Sequence, residues 1–511
     1  MKYKILAILL FFFFFGYFLR VYYLPNAAVN FGYDMARDAF TVRNLLSGDI
    51  KLQGPPASTA GLFHGVLYYY VIAPAYFLGE GSPIIVAYWT SLINALTIFV
   101  VFYFAYILTK EKGSALLSAL LFAVSFEASQ YATWLSNPTL AILTVPLTYV
   151  GLWMWLREQN KLGPLLAALG LGLSVQAELF LAYHFIPVGF WLIVERKKIG
   201  KTDLMTFVGV LFVSLFSMFL AQVRFGKDTI SGVVSLLTAK DQILKSKSLG
   251  DFVLLYLNQM GNTFSNAVFP SNLGWGGAAG FTLLLVAIKD WLNKKRREML
   301  SWQPFLATYL LAHLPVVFLG GVSTPFLTVG IGVGACMLFG IMFYKLWLKN
   351  KALGLIVVFI VVVSNVSTIL SRNSNGQVAL VWNQNDLILS KEMAVVDYTY
   401  REANGKPFSI NTITNPLWVN TTWSYLYNWY GFDKYGYLPG WRGKDQVGRL
   451  GNNLVEAVPG TTLHFLIKEP LEGIPEYWMK REEEAENSKS IVLGEENYGK
   501  IVIQKRLIKN K

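Results

Sequence analysis

The feature that most constrains this chain is a series of apolar runs, most of about spanning length, separated by short basic clusters. The first run follows Lys2 and Lys4 and contains five consecutive phenylalanines, Phe11 to Phe15. It is long, no small-residue cleavage site follows it, and Arg20 with Tyr22 and Tyr23 reads as an interfacial exit, so an uncleaved span is expected. Further runs lie near 84–108, 113–127, 138–156, 163–180, 183–194, 203–223, 272–291, 302–319, 325–347 and 352–371. Several fall short of the ~20 residues that a perpendicular helix needs. Only 15% of the 511 residues are charged and 54% are hydrophobic, whereas soluble domains carry about a quarter charged residues. A soluble enzyme, a disordered chain and a disulfide scaffold are thereby excluded. Cys336 is the one cysteine, which leaves neither an intrachain disulfide nor a thiolate metal site.

Orientation follows from the charges. The segment His64–Gly79, with Tyr68-Tyr69-Tyr70 and Pro74, is apolar enough to be a span. If it is not one, and the N-terminus is inside, five basic clusters fall on the cytoplasmic side. These are Lys110-Glu111-Lys112, Arg157–Lys161, Arg196–Lys201, Lys294–Arg297 and Lys345–Lys351. If it does span, all five lie outside, against the positive-inside rule. His64–Gly79 is therefore expected as a juxtamembrane or re-entrant helix lining an outward-facing cavity. The expected fold is a polytopic α-helical membrane protein of about eleven spans, N-terminus in and C-terminus out, in the cytoplasmic membrane. Its membrane region covers 1–371, with outer loops at 25–83 and 224–270. The tail, 372–511, is expected outside as a small α+β domain.

The formal net charge is +13, but the tail from Arg372 contributes 17 basic and 16 acidic residues. The basic excess thus sits between apolar segments, as the membrane rule requires, and no basic groove with interleaved aromatics points to nucleic acid. In the tail, Ser390–Asn404 has helical spacing, stopped by Gly405-Lys406-Pro407, and 481–486 reads as helix. Strands are expected at Phe408–Ile410, Thr462–Ile467 and Lys500–Ile503. Trp418, Trp423, Trp429 and Trp441 read either as the core of that domain or as rings that stack on sugars. Asn420-Thr421-Thr422 matches a glycosylation sequon, a short and unspecific pattern.

The first outer loop, Phe31–Asp49, carries the clearest chemistry. Asp34 is an N-cap candidate and Gly48 a stop. Between them Met35, Ala39, Val42 and Leu46 form an apolar stripe, and Asp34, Asp38 and Thr41 a second one beside Arg37. An amphipathic helix on the membrane surface is expected. Its carboxylates and arginine read either as cap and ion pair or as a general base beside a phosphate-holding cation. Glu127, Asn137-Pro138, Gln176, Glu178, His184, Arg224 and His313 fall toward the same outer side, where ionisable groups near lipid mark a functional path. No cofactor is called for by these residues, and a divalent metal stays open but unsupported, since too few carboxylates converge to hold one.

These residues resemble the GT-C glycosyltransferases, polytopic enzymes that take a sugar from a polyprenyl-phosphate carrier, with protein O-mannosyltransferases and the lipid A aminoarabinose transferases nearest. Tyr33-Asp34 through Ser47-Gly48-Asp49 is similar to their acidic loop motif, and Arg37 and Arg43 match two basic positions within it. Phe63-His64-Gly65 to Leu78-Gly79 resembles their juxtamembrane helix, with His64 where a basic residue meets the carrier phosphate. Asn137-Pro138 stands where an Asp-Pro is usual, Met35 replaces a second acidic residue, and Val66 breaks a proline pair. The resemblance covers roughly 1–225 and implies an inverting transfer to an extracytoplasmic protein, lipid or glycan. Asp34 is then the base, Asp38 a possible substitute, and Arg37, Arg43, His64, Asn137, Glu178 and Arg224 bind the substrate and its phosphate. A transporter or flippase would place its polar site at the midplane between repeated halves, and no repeat is evident. A non-catalytic scaffold binding envelope glycans through the aromatic tail is the other alternative.

Overall fold

Apolar runs become helices because a helix satisfies its own backbone hydrogen bonds without water. The computed structural model describes residues 2–57, 61–246, 248–294, 298–321, 323–380, 385–444 and 454–509. The membrane region runs α1 (Lys2–Val21), α2 (Tyr33–Leu46), α3 (Leu67–Leu78), α4 (Pro83–Thr109), α5 (Lys112–Val124), α6 (Phe126–Ala132), α7 (Ala141–Leu156), α8 (Gly163–Ala177) and α9 (Phe185–Val194). It continues through α10 (Lys201–Ser246), α11 (Leu249–Val268), α12 (Leu273–Leu292), α13 (Trp302–Leu310), α14 (Leu314–Gly320), α15 (Ile331–Lys349) and α16 (Lys351–Arg372). Among the described residues six helices are long and apolar enough to cross a bilayer, or up to eight if the bent pairs α5–α6 and α11–α12 each count as one. The runs 163–180, 183–194 and 302–319 give short or broken helices instead: α8 ends at Ala177 in a 3₁₀ turn, Leu179–His184, and α13 and α14 are separated at Leu311–His313.

The stretch 224–270 is helical almost throughout: α10 continues past Arg224 to Ser246, and α11 begins at Leu249 with a Ser248–Asp251 capping box. No proline interrupts Lys201–Ser246, so nothing stops the helix where its hydropathy falls. α7 and α15 are almost wholly buried, while α1, α10 and α16 turn Phe11, Phe14, Phe212, Val213, Ile356 and Phe359 outward, an arrangement suited to lipid rather than water. α3 has 12 residues and a proline inside it, and at 1.5 Å per residue it extends only about 18 Å. Loops carrying the basic clusters meet at one end of the bundle. There Lys110 pairs with Glu158, Arg157 with Glu298 at 2.6 Å, Lys161 with Asp203 at 3.3 Å and Lys345 with Asp290 at 3.2 Å. Lys295, Arg296 and Arg297 of the cluster Lys294–Arg297 lie outside the described residues.

The tail adds α17 (Leu389–Ala403), α18 (Thr421–Leu426), α19 (Phe432–Tyr435) and α20 (Glu476–Lys489), with β1 (Ser409–Ile413), β2 (Gly440–Trp441), β3 (Leu463–Lys468), β4 (Ser490–Tyr498) and β5 (Ile501–Ile508). The sheet order is β2-β1-β3-β5-β4, parallel among β2, β1 and β3 and antiparallel from β3 outward. Trp423 and Trp441 are core residues, while Trp418 is half exposed. The tail is fastened to the segment that leads into α2. Asn30 bridges Ile388, its side chain donates to the Leu387 carbonyl at 3.1 Å, and its backbone N–H donates to Gln377 Oε1 at 2.9 Å.

Candidate active site

α2 does not lie free on a surface. It is packed between α3 and α18, and Phe40 meets the Tyr425 ring edge-on at 5.0 Å. Met35, Ala39 and Val42 of the apolar stripe are buried and Leu46 is exposed, while Arg37, Asp38 and Thr41 are buried as well. The N-cap is Gly32 rather than Asp34. Gly32 supplies the extended backbone ahead of the first turn, which leaves the Asp34 carboxylate free to turn toward Arg37 three residues on.

The site is organised around the Arg37 guanidinium. Its Nη1 donates to Asp34 Oδ1 at 2.5 Å, while Nε and Nη2 donate to Asp38 Oδ1 at 2.9 and 2.7 Å. Tyr69 of α3 donates its hydroxyl to the same Asp38 oxygen at 3.3 Å. The two carboxylates differ in exposure: the Asp34 side chain is 60% exposed and that of Asp38 only 2%. Burial pushes the Asp38 carboxyl up to about 6 despite the opposing effect of Arg37. Its Oδ2 is buried with no hydrogen-bond partner. Burial alone would weaken the Arg37 charge, but Asp38 and Asp34 hold its pKa above the ordinary arginine value. Asp34 is therefore an accessible acceptor whose orientation is set by an arginine that Asp38 and Tyr69 anchor from behind.

A second group forms where α8 ends. His64 Nδ1 accepts the Leu179 N–H at 3.0 Å, so a neutral ring carries its proton on Nε2. Burial, helped by the positive field of Arg37, lowers the His64 pKa to about 4. The 3.5 Å approach of Glu178 Oε1 to that Nδ1 is thus a neighbour contact beside a neutral ring. Glu178 Oε1 accepts the Phe180 N–H at 3.2 Å, and Asn137 Nδ2 donates to the Ala177 carbonyl at 2.5 Å. Gly65 crosses Gln176 so closely that a Cβ on Gly65 would overlap the Gln176 amide, and its N–H donates to the Gln176 carbonyl at 2.9 Å.

The structure thus brings Asp34, Arg37 and Asp38 together, and His64, Asn137 and Glu178 together beside them. Arg43 is exposed on the opposite face of α2, and Arg224 is exposed on α10. Tyr69 is a site residue that sequence reasoning passed over as one ring of an aromatic triplet. Glu127 lines a separate cavity of about 80 Å³ with Gln259, Asn262 and Asn266, residues that seemed to belong to a loop. Among the described residues no three His, Cys, Asp or Glu side chains are grouped so as to hold a metal ion.

The helical bundle, the α2–α3 pair and the mixed-sheet tail make up a fold that solved structures share. No known protein family and no curated protein matches the sequence. Solved structures do. ArnT from Cupriavidus metallidurans bound to undecaprenyl phosphate superposes with a TM-score of 0.62 at 10% identity, over 99% of this chain and 97% of that one. Its apo state gives 0.62 at 12% identity over the same shares. The archaeal oligosaccharyltransferase AglB from Archaeoglobus fulgidus, in complex with an inhibitory peptide and a dolichol-phosphate, gives 0.46 at 14% over 78% of this chain and 58% of that one. The resemblance expected over the first 225 residues therefore extends, as a fold, to the tail.

Proposed function

We propose that this chain is an inverting membrane glycosyltransferase, with Asp34 as general base, that transfers a sugar from a polyprenyl-phosphate carrier to an extracytoplasmic acceptor. The observation that carries the reading is the Asp34–Arg37–Asp38 arrangement: one exposed carboxylate is aimed by an arginine locked onto a buried one. A base must reach the proton it removes, and Asp34 has that access while Asp38 does not. The acceptor hydroxyl or amine attacks the anomeric carbon as the bond to the carrier phosphate breaks. Its proton passes to Asp34, and the configuration inverts. The leaving phosphate is stabilised by N–H groups of Arg37 not given to carboxylates and by His64 Nε2–H. That ArnT binds undecaprenyl phosphate within the same fold supports a lipid-linked donor. In this reading the N-terminus is inside, the tail and site are outside, and the polypeptide crosses the cytoplasmic membrane about eleven times, counting short and broken helices.

The test is transfer of label from a panel of polyprenyl-phosphate sugars to crude envelope acceptors by the purified protein, with Asp34→Asn in parallel. Wild-type transfer of inverted product that Asp34→Asn loses is expected. Absence of transfer from every donor by a folded protein would refute the class. Undiminished transfer by Asp34→Asn would refute the base.

A further inference from the structure

The face of α2 that points away from the carboxylates has a ligand-sized cleft of its own. At 100° per residue, Asp34, Arg37, Asp38 and Thr41 share one side of the helix, and Ala39, Arg43 and Leu46 the other. There α2, the end of α3 and the tail enclose a cavity of about 410 Å³, within the size range of small-molecule sites. One wall is aromatic and fixed. The Tyr425 hydroxyl donates to the Gly81 carbonyl at 2.6 Å, Trp429 lies against Gly81, and the two rings stack at 6.3 Å and 30°. Gly81 has φ +89°, and a Cβ there would come within 3.2 Å of the Trp429 ring. The rest of the lining mixes apolar side chains, Leu46, Phe77 and Phe432, with polar ones, Arg43, Glu80, Asn428 and Asp433. Among the described residues none of the three charged ones forms an ion pair, so their hydrogen-bonding capacity remains for a ligand.

We infer that this cleft is an accessory saccharide-binding site, distinct from the transfer site on the other face of α2. A sugar ring offers an apolar C–H face and a rim of hydroxyls. The half-buried Trp429 ring suits the face, and carboxylates, amide and guanidinium placed around it suit the rim. Two carboxylates against one arginine leave the lining net negative, which disfavours a phosphate headgroup through like-charge repulsion. The ligand is therefore an uncharged saccharide, either free or as a ring within a glycan chain. Of the four tail tryptophans considered for sugar stacking, Trp429 is the one that lines this cleft.

Binding is measured on the full chain in phosphatidylcholine nanodiscs by saturation-transfer NMR. The probes are neutral tetrasaccharides of mannose, glucose and galactose, the corresponding monosaccharides, and glycerol phosphate as the anionic headgroup. At least one neutral sugar binds. Trp429→Ala weakens it about tenfold, corresponding to loss of one stacked ring, and Asp433→Asn weakens it at least threefold. Asp34→Asn binds as wild type, which separates this site from the transfer reaction. Tighter binding of tetrasaccharide than of monosaccharide assigns a chain, and equal binding a free sugar. The inference is overturned if no neutral sugar binds wild type, if glycerol phosphate displaces the sugar, or if Asp433→Asn binds undiminished. Asp433 is exposed, so its variant remains decisive where Trp429→Ala fails to fold.

Discussion

Asp34 and Asp38 share one arginine, yet opposite consequences are expected from losing each. Asp34 is mostly exposed, so its ion pair with Arg37 is screened by solvent and contributes no more than about 1 kcal/mol. Asp34→Asn should shift Tm by only about 1–2 °C in a chain of this size. Its transfer rate should fall by about 10²–10⁴, the usual contribution of a positioned general base. Asp38 is the reverse. Asp38→Ala deprives a buried guanidinium of two hydrogen bonds, and breaking one side of a buried pair costs about 3–5 kcal/mol. The assay is thermal unfolding in detergent at pH 7.5 beside turnover with whichever donor the wild type accepts. If Asp34→Asn destabilises the protein as much as Asp38→Ala, the exposure argument fails. If it retains transfer within about threefold of wild type, Asp34 is not the base.

His64 has a folded pKa below its unfolded value, so its contribution to stability is present above pH ~6.5 and is lost as pH falls toward 4. A His64→Gln variant, whose amide oxygen can still accept the Leu179 N–H, should lose less stability than wild type over that window in melts at pH 7 and pH 4.5. Glu392 in the tail is buried with both oxygens unpartnered, and burial plus the neighbouring Glu469 raise its pKa well above the ordinary value. Its protonated form stabilises the fold at low pH and that contribution is lost as pH rises, so Glu392→Gln should raise Tm at pH 9 relative to wild type and change it less at pH 5. Gly65→Ala should cost about 1–3 kcal/mol by overpacking against Gln176, read as a lower Tm and as reduced transfer.

The segment Phe31–Asp49 was readable because its signals are local. Asp34, Arg37 and Asp38 lie within five residues, and the stop at Gly48 is a one-residue property, φ +100°. The tail helix and three of its strands followed from periodicity alone. What escaped depended on distant residues or on the absence of a stop. Asp38 is buried where α3 brings Tyr69 against it, so no spacing within α2 announces it. His64, Asn137 and Glu178 meet only because Gly65 crosses the end of α8. Gln259, Asn262 and Asn266 looked like loop residues until α11 carried them beside Glu127. β4, with a mostly outward burial pattern and a bulge between Val492 and Gly494, lacks the clean alternation that identifies a strand.

The clasp between Asn30 and Leu387 joins residues 357 positions apart. At a synthesis rate of roughly 5–20 residues per second, about 20–70 s pass between the emergence of its two halves. During that interval the first loop is already made, yet it lacks the contact that fixes the approach to α2. A nascent or truncated chain ending before the clasp would form its helices without the contact that fixes the approach to α2, so that approach is completed only once Leu387 has been made.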